Sequence, residues 1–435
     1  MTSSLGAPYW KLWTSSALSN LADGVMKVAL PLVAIRYTES PALIAGLGFA
    51  FTLPWLLFAL TAGALADRFD RRRLMLIGNT ARATLLAVLV VVALLGGGSI
   101  WMLYAIALFV GTAETVYDTS AQSILPQLVS RDALARANGR LYAAELTTNQ
   151  FVGPPLGGFL VASGIAVAFG APVLLWVLAI GMLLLVRGRF STDHPGTTTI
   201  RTDIAEGLRF LWNNTILRVL AIMVGVFNLA SSATFTVLVL YAVGPKSAMK
   251  LTDPGYGVLL TASALGSVLG SFAAEWAERR LGRAKALALT ILGSVLTVAT
   301  PAFTTDAWVI GVAFFLGGIT VSIWNVITVS LRQRIAPPRL LGRVNSAYRL
   351  VAWGTMPLGA ALGGAIAEIF GLPAVFLSMG VVVVCLLLGM FWVTDKRMDA
   401  ADAAAEREHA AATATATSAA GGPAADPSSA EENGR

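Results

Sequence analysis

Asp23 and Lys27, and Glu114 and Asp118, form two pairs of ionisable residues set four apart, each inside a long apolar stretch of this 435-residue chain. At that spacing the members of a pair share one face of a helix. Asp23 and Lys27 have opposite signs and can neutralise one another, whereas Glu114 and Asp118 are two like charges. A desolvated carboxylate beside another holds a proton more readily, which is what a reversible proton carrier needs. Arg82 and Arg349 also fall within apolar runs and are the candidate counter-ions. Asp23, Glu114, Asp118, Arg82 and Arg349 are therefore the candidate proton-coupling residues. A purely structural account competes with this one: Asp23 paired with Lys27, and Asp118 bonded to Arg82. Glu145 and Glu368 lie nearer the ends of their runs, where a long side chain can snorkel to water.

Catalysis of a covalent reaction is not expected, because no nucleophile, base and orienting group stand together. The phosphate loop GxxxxGK[ST] is absent, which argues against an ATP-driven pump. The single cysteine, Cys385, sits in an apolar run, so neither a disulfide within the chain nor a thiolate metal cluster is expected, and no cofactor or metal is expected either.

Such charges acquire meaning from the elements that carry them. Hydrophobic residues make up 56% of the chain and charged ones only 13%, where a soluble domain carries about a quarter charged residues. Apolar runs of roughly 20 residues recur along nearly the whole length, each enough to cross the hydrocarbon as a helix. LLAVLVVVALL (85–95) and VVVVCLLLGMFWV (381–393) are continuous rather than alternating, which excludes an outer-membrane barrel. The fold class expected is an all-α membrane protein with twelve spans, at about 10–35, 41–65, 74–96, 100–125, 138–162, 166–187, 218–243, 255–277, 285–304, 307–331, 342–369 and 373–394. The first span is polar in its middle and no small-residue cleavage site follows it, so it reads as a retained helix rather than a signal peptide.

The net charge of +7 is explained by topology, and no nucleic-acid partner is expected. With both termini cytoplasmic, twenty-three lysines and arginines fall in cytoplasmic segments against three (Arg36, Lys246 and Lys250) on the other side. The two halves also match at an offset of about 207 residues: Gly63 with Gly270, Arg72 with Arg279, Gly111 with Gly318, Tyr117 with Trp324, Asn138 with Asn345 and Gly157 with Gly364. At 208, Asn20, Leu21 and Ala22 pair with Asn228, Leu229 and Ala230. An offset spanning an even number of helices gives two copies of the same orientation, related by an axis along the membrane normal, with the substrate site between them. The expected organisation is a six-helix bundle over 1–187, a cytoplasmic linker over 188–217 containing a short amphipathic helix (AEGLRFLWNN), a second bundle over 218–397, and a disordered cytoplasmic tail over 398–435. A single chain is expected to suffice, as a monomer in the plasma or inner membrane.

GALADRFDRRRL (63–74) resembles the loop signature of the major facilitator superfamily. The resemblance implies that Gly63 permits close helix packing, that Asp67 faces a neighbouring helix N-terminus, and that Arg68 and the cluster Arg71 to Arg73 meet carboxylates or lipid headgroups. Asp70 stands where that signature has glycine. GPPLGG, comprising Gly153, Pro154, Pro155, Gly157 and Gly158, is similar to the helix 5 motif of drug and proton antiporters in the superfamily, with Asn149 and Glu145 replacing two further glycines. Its glycines allow close approach and its prolines bend the helix. SNLADGVMKVALPLVAI (19–35) and VYDTSAQSILPQLVSRDALARANG (116–139) are similar to the branch containing macrolide-efflux proteins and the enterobactin exporter. The arginine that many proton-coupled members carry in helix 4 is missing, and Glu114 and Asp118 occupy that helix instead.

At positions matched by the repeat, the second half has Ser231 for Asp23, Val321 for Glu114 and Asn325 for Asp118. The scaffold itself does not need these acids. Proton coupling is thus expected from the first half, with apolar and amide contacts from the second. Asn20, Tyr117, Asn228, Phe235, Trp324, Asn325 and Trp353 are the candidate lining of the substrate cavity, and aromatic faces near acids favour a bulky, partly apolar and cationic solute. The function expected is export of a small amphipathic molecule (antibiotic, drug or siderophore-like) by alternating access with proton antiport. Uptake by proton symport uses the same fold and stays open, and a non-transporting membrane receptor ranks behind both.

Overall fold

Long apolar runs bounded by good helix caps make this chain almost wholly helical. In the computed structural model, the structure describes residues 5–130, 133–188, 190, 200–244, 247–337 and 340–420. Arg131, Arg189, Lys246, Arg339, most of the linker before residue 200 and the tail beyond 420 lie outside them, as does the side chain of Asp67. In chain order the helices are α1 (Gly6–Ala34), α2 (Pro41–Arg68), α3 (Arg71–Leu94), α4 (Ile100–Ile124), α5 (Leu134–Glu145), α6 (Gly153–Ala162), α7 (Ile165–Leu184) and α8 (Ile200–Asn213). There follow α9 (Thr215–Ala242), α10 (Asp253–Leu281), α11 (Arg283–Ala299), α12 (Ala307–Ile335), α13 (Leu341–Trp353), α14 (Met356–Phe370), α15 (Leu372–Cys385) and α16 (Asp395–Ala420). Ser40, Asp70, Ser99, Asn214, Thr252 and Asp306 each accept a hydrogen bond from a backbone N–H in the first turn of the helix that follows. Such a cap contributes about 1 kcal/mol and fixes where the helix begins.

Among the described residues, eleven helical stretches are long and apolar enough to cross a membrane. The expected span over 138–162 is helical as well but less apolar, since it carries Glu145, Asn149, Gln150 and two prolines. It is divided into α5, a π-helical segment Leu146–Val152, and α6. Two successive prolines withdraw two backbone donors just above the wide turn. The expected helix over 342–369 is likewise broken at Gly354 and Thr355 into α13 and α14. Large apolar side chains such as Phe272, Trp308 and Ile369 stand exposed around the outside, which a lipid solvent explains and water does not.

The packing repeats. In the first half α1 packs on α6 and α7, α2 on α4, and α3 on α4 and α7; in the second, α9 packs on α14 and α15, α10 on α12, and α11 on α12 and α15. Lys11 donates to the Leu185 carbonyl (3.1 Å) and Arg72 to those of Leu183 (2.9 Å) and Leu184 (3.0 Å), so the start of α1, the α2–α3 turn and the end of α7 share one end of the bundle, here the terminal end. Arg71 donates to Ala66 O. These two arginines cap helix carbonyls, because the unpaired carbonyls of a helix C-terminus attract cations. Arg68 is exposed. Asp70 caps α3 and accepts from the N–H of Phe190 (2.7 Å).

The disordered tail expected from residue 398 is not what the structure shows up to residue 420. Arg283 pairs with Asp402 at 2.7 Å, Asp395 accepts from the Ala284 N–H at 2.9 Å, and Met398 is fully buried, so α16 has anchors that its alanine-rich sequence conceals.

Contact between the halves is concentrated at the opposite, far end, where α2 packs on α14 and α6 on α10. Arg36 bridges the halves there, 3.1 Å from Asp253 and 3.2 Å from Val161 O. Glu368, expected only to reach water, accepts from Ser40 Oγ (3.0 Å) and the Ala42 N–H (3.2 Å). Backbones meet almost directly: a Cβ on Gly157 would stand 2.8 Å from Val25 O, and one on Gly158 would strike the carbonyl of Asp253. Gly63 differs from its expected role, because a Cβ there would meet nothing within 4 Å; it borders a cleft toward the terminal end. With spin labels at residues 37 and 370, Gly158→Leu should therefore add a longer-distance population in pulsed electron paramagnetic resonance, whereas Gly63→Ala should leave the wild-type distribution intact.

Candidate functional site

The first half buries a network of charge inside otherwise apolar helices. Arg82 of α3 is fully buried and lies 2.8 Å from Asp23 of α1, itself 3% exposed. The guanidinium also donates to Ser19 Oγ at 2.9 Å and to Asn79 Oδ1, one turn earlier on α3. Its flat faces lie against aromatic rings, 4.7 Å from the centre of Tyr117 on α4 and 5.1 Å from that of Trp176 on α7. Four helices thus converge on one cation. An ion pair sealed from water is retained only where extra hydrogen bonds and ring faces offset the loss of solvation.

Partnership in this network differs from the structural account framed on sequence. Asp23 pairs with Arg82 and not with Lys27, because α3 brings the guanidinium within 2.8 Å of the Asp23 carboxylate while the Lys27 ammonium is engaged by Asn149. Lys27 is exposed and donates to Asn149 Oδ1 of the π-helical segment. Asn149 Nδ2 in turn reaches Asn20 Oδ1 at 3.4 Å, and Asn20 donates to Ser16 O. A Cβ on Gly24 would stand 2.5 Å from the Asn149 carbonyl, so α1 and the segment touch backbone to backbone beside this bond. Asp118 is half-buried, and Arg82 is committed to Asp23 rather than to it. Glu114 is 8% exposed, and its Oε2 is buried without a hydrogen-bond partner among the described residues, as are the Tyr117 hydroxyl and Arg82 Nε. Glu145 is exposed. Arg349 makes no ion pair with these acids within 4 Å among the described residues; it donates to Gln122 at 2.9 Å and lies 5.3 Å from the Trp353 ring centre.

At positions 207 residues on, the second half holds a cavity instead of charges. Its volume is about 170 Å³, and among its lining residues are Asn228, Trp324, Asn325, Tyr348 and Trp353, none of them ionised at neutral pH. Val321, Trp324, Asn325 and Ala352 there take the places of Glu114, Tyr117, Asp118 and Glu145. Trp324 Nε1 is buried with no acceptor among the described residues. A larger cavity of about 350 Å³ lies between the halves, walled by α1, α2, α9 and α10, with Phe51, Phe235, Tyr256 and Lys27 on its surface. A third, of about 150 Å³, lies between Trp55, Thr119, Arg349 and Trp353, and the two tryptophan rings meet edge to face at 5.1 Å. Beside this cleft α4 and α5 make hardly any contact with α12 and α13.

Of the residues proposed from sequence to line a substrate cavity, the structure brings Asn228, Trp324, Asn325 and Trp353 together and puts Phe235 in the larger cavity. Tyr117 is buried beneath Arg82, and Asn20 is tied into the α1–Asn149 network, so neither lines these cavities. Sequence reading missed Asn79, Trp176, and the bridges made by Arg36 and Glu368. Asn79 had a signal: an amide three residues before a buried arginine shares its helix face.

A helical bundle of two packed halves, with one ion pair sealed inside the first and cavities within and between them, defines a membrane transporter of the major facilitator type. The family described as transmembrane secretion effector matches residues 7–424, and the chain belongs to it. It is 27% identical to the multidrug efflux pump Tap of Mycolicibacterium fortuitum, over 93% of this chain and 100% of that one. It is 25% identical to the enterobactin exporter EntS of Shigella boydii serotype 4 (80% and 82% covered) and 24% identical to macrolide efflux protein A of Streptococcus pyogenes (87% and 94%). The fold is that of the nucleoside transporter NupG, with a TM-score of 0.71 at 13% identity over 89% of this chain and 98% of that one.

The buried pair sets an energetic expectation. Arg82→Ala leaves Asp23 sealed without a partner, which should cost about 3–5 kcal/mol and lower the thermal midpoint of the detergent-purified protein sharply. Removing both charges in Asp23→Asn/Arg82→Gln should recover a large part of that loss; a double variant as unstable as Arg82→Ala would refute the pairing as the source of the effect.

Proposed function

We propose that this transporter exports a small amphipathic molecule across the cell membrane, against an inward proton movement, by alternating access of the cavity between its halves. The terminal end bears the excess of arginine and lysine, which assigns it to the cytoplasm. In the present state the halves are then sealed toward the outside by Arg36, Glu368 and the α6–α10 glycine contact. The cleft at Arg349 and Trp353 opens toward the cytoplasm, the side from which an exporter loads. The direction of transport follows the relatives, three of which are named for efflux or export.

The observation that carries proton coupling is the contrast between matched positions: charge in the first half, an uncharged cavity in the second. A carboxylate oxygen of Glu114 has no partner in its buried site, so an ionised Glu114 is expensive there and a proton on it removes that cost. Asp118, one turn on and only half-buried, is the group through which the proton on Glu114 would exchange. Rocking of the halves changes which acid faces water, and the proton follows.

In proteoliposomes, Asp118→Asn and Glu114→Gln should each reduce transport driven by an imposed pH gradient at least about tenfold, the scale of losing one proton-transfer group. Exchange of labelled for unlabelled substrate without a gradient should persist, since it needs only the cavity. Gradient-driven transport at the wild-type rate in both variants would sink the coupling assignment. In a host lacking its own exporters, expression should raise tolerance to amphipathic antibiotics, and a protonophore should abolish the gain. Raised sensitivity would instead indicate uptake.

A further inference from the structure

We propose that the cavity between the halves selects for amphipathic anions by seating an acidic group of the transported molecule on Lys27. This rests on the transport reading above and reverses the cationic preference that the acids suggest from sequence. None of those acids is among the residues that line this cavity: Asp23 pairs with Arg82 at 2.8 Å, Glu114 is buried on α4, and Asp118 is half-buried one turn further on.

Lys27 is placed differently from every residue around it. Of the nine residues from Ala22 to Leu30 on α1, eight are buried and Lys27 alone is exposed. Its side chain opens into the cavity of about 350 Å³, of which it is the one charged lining residue. An ammonium has three donors, and the hydrogen bond to Asn149 Oδ1 occupies one of them. Asn149 is neutral, so the positive charge has no ion-pair partner within 4 Å among the described residues. Elsewhere the walls are apolar or hydroxylic: Phe51 and Phe235 offer ring faces, and Ser231 and Thr236 offer hydroxyls. A single cation in such surroundings attracts an anion more strongly than it would in water, because apolar walls screen little. Rings for a flat apolar body and one ammonium for an acidic group together describe an amphipathic anion such as an aromatic carboxylate or sulfonate.

The test uses the full-length chain in neutral detergent and three probes sharing one fluorophore: dansylglycine (an anion), its methyl ester (neutral) and dansylcadaverine (a cation). Titration by dansyl fluorescence should show wild type binding the acid on the order of tenfold tighter than the ester, the scale of one charge-assisted contact, and the cation weakest. Lys27→Gln should abolish the preference for the acid while leaving the ester's affinity within about twofold, and Lys27→Arg should restore the preference. Equal binding of acid and ester by wild type would overturn the proposal with no variant needed, and so would a preference surviving in Lys27→Gln. Adding phosphatidylglycerol identifies the source of the natural anion: competition with dansylglycine assigns the seat to a lipid headgroup, and its absence assigns it to the solute. Resistance measured in cells separates the two claims. Export without acid preference overturns this inference alone, and acid preference without export overturns the transport reading alone.

Discussion

An ionised side chain surrounded by helices and lipid must find its partner inside the protein, and this constraint organises the whole first half. Arg82 meets it through Asp23, Ser19, Asn79 and two aromatic faces. Because these partners come from α1, α3, α4 and α7, the pair fixes how four helices sit against one another. Apolar packing in lipid specifies position weakly, since the tails are as apolar as leucine. A sealed ion pair specifies it strongly, because misplacing one partner strands a charge.

The second half lacks that constraint, and its chemistry diverges accordingly. With valine, asparagine and alanine where the first half has Glu114, Asp118 and Glu145, nothing there demands a counter-ion, and the space becomes an aromatic and amide pocket. Under the function proposed above, the first half supplies the acids that exchange a proton and the second half supplies an aromatic and amide pocket. In the proposed mechanism the two are joined only by the relative motion of the halves.

Much of the architecture was legible in the sequence for identifiable reasons. Long apolar runs and a constant repeat offset are properties of many residues at once, so local exceptions barely disturb them. The same holds for the assignment to the major facilitator superfamily, which rested on extended motifs. Individual partners were far less legible. Helical spacing brought Asp23 and Lys27 to mind as a pair, but contacts between helices are set by tertiary packing, and α3 delivers Arg82 to Asp23 instead. The tail failed for a related reason: alanine-rich composition predicts no core, yet Asp395, Met398 and Asp402 find sites on the surface of the bundle. Gly63 shows a third limit, because a motif glycine implies a close neighbour and here has none.

The π-helical segment Leu146–Val152 ties the cavity to the far-end seal in a way no single motif announced. It carries Asn149, which holds Lys27 through its side chain and contacts Gly24 through its carbonyl. It runs directly into Gly153, Pro154 and Pro155, and the helix they begin packs on α1 at Gly157 and on α10 at Gly158. A wide turn accommodates one more residue than the α-helix, and narrowing it shifts the register of everything beyond. Any change in what Lys27 holds therefore acts on Asn149, and through a short, proline-stiffened helix on the glycine contacts that seal the far end. Under the function proposed above, binding in the cavity and opening of the seal would act on one stretch of backbone, so coupling between them requires no longer pathway.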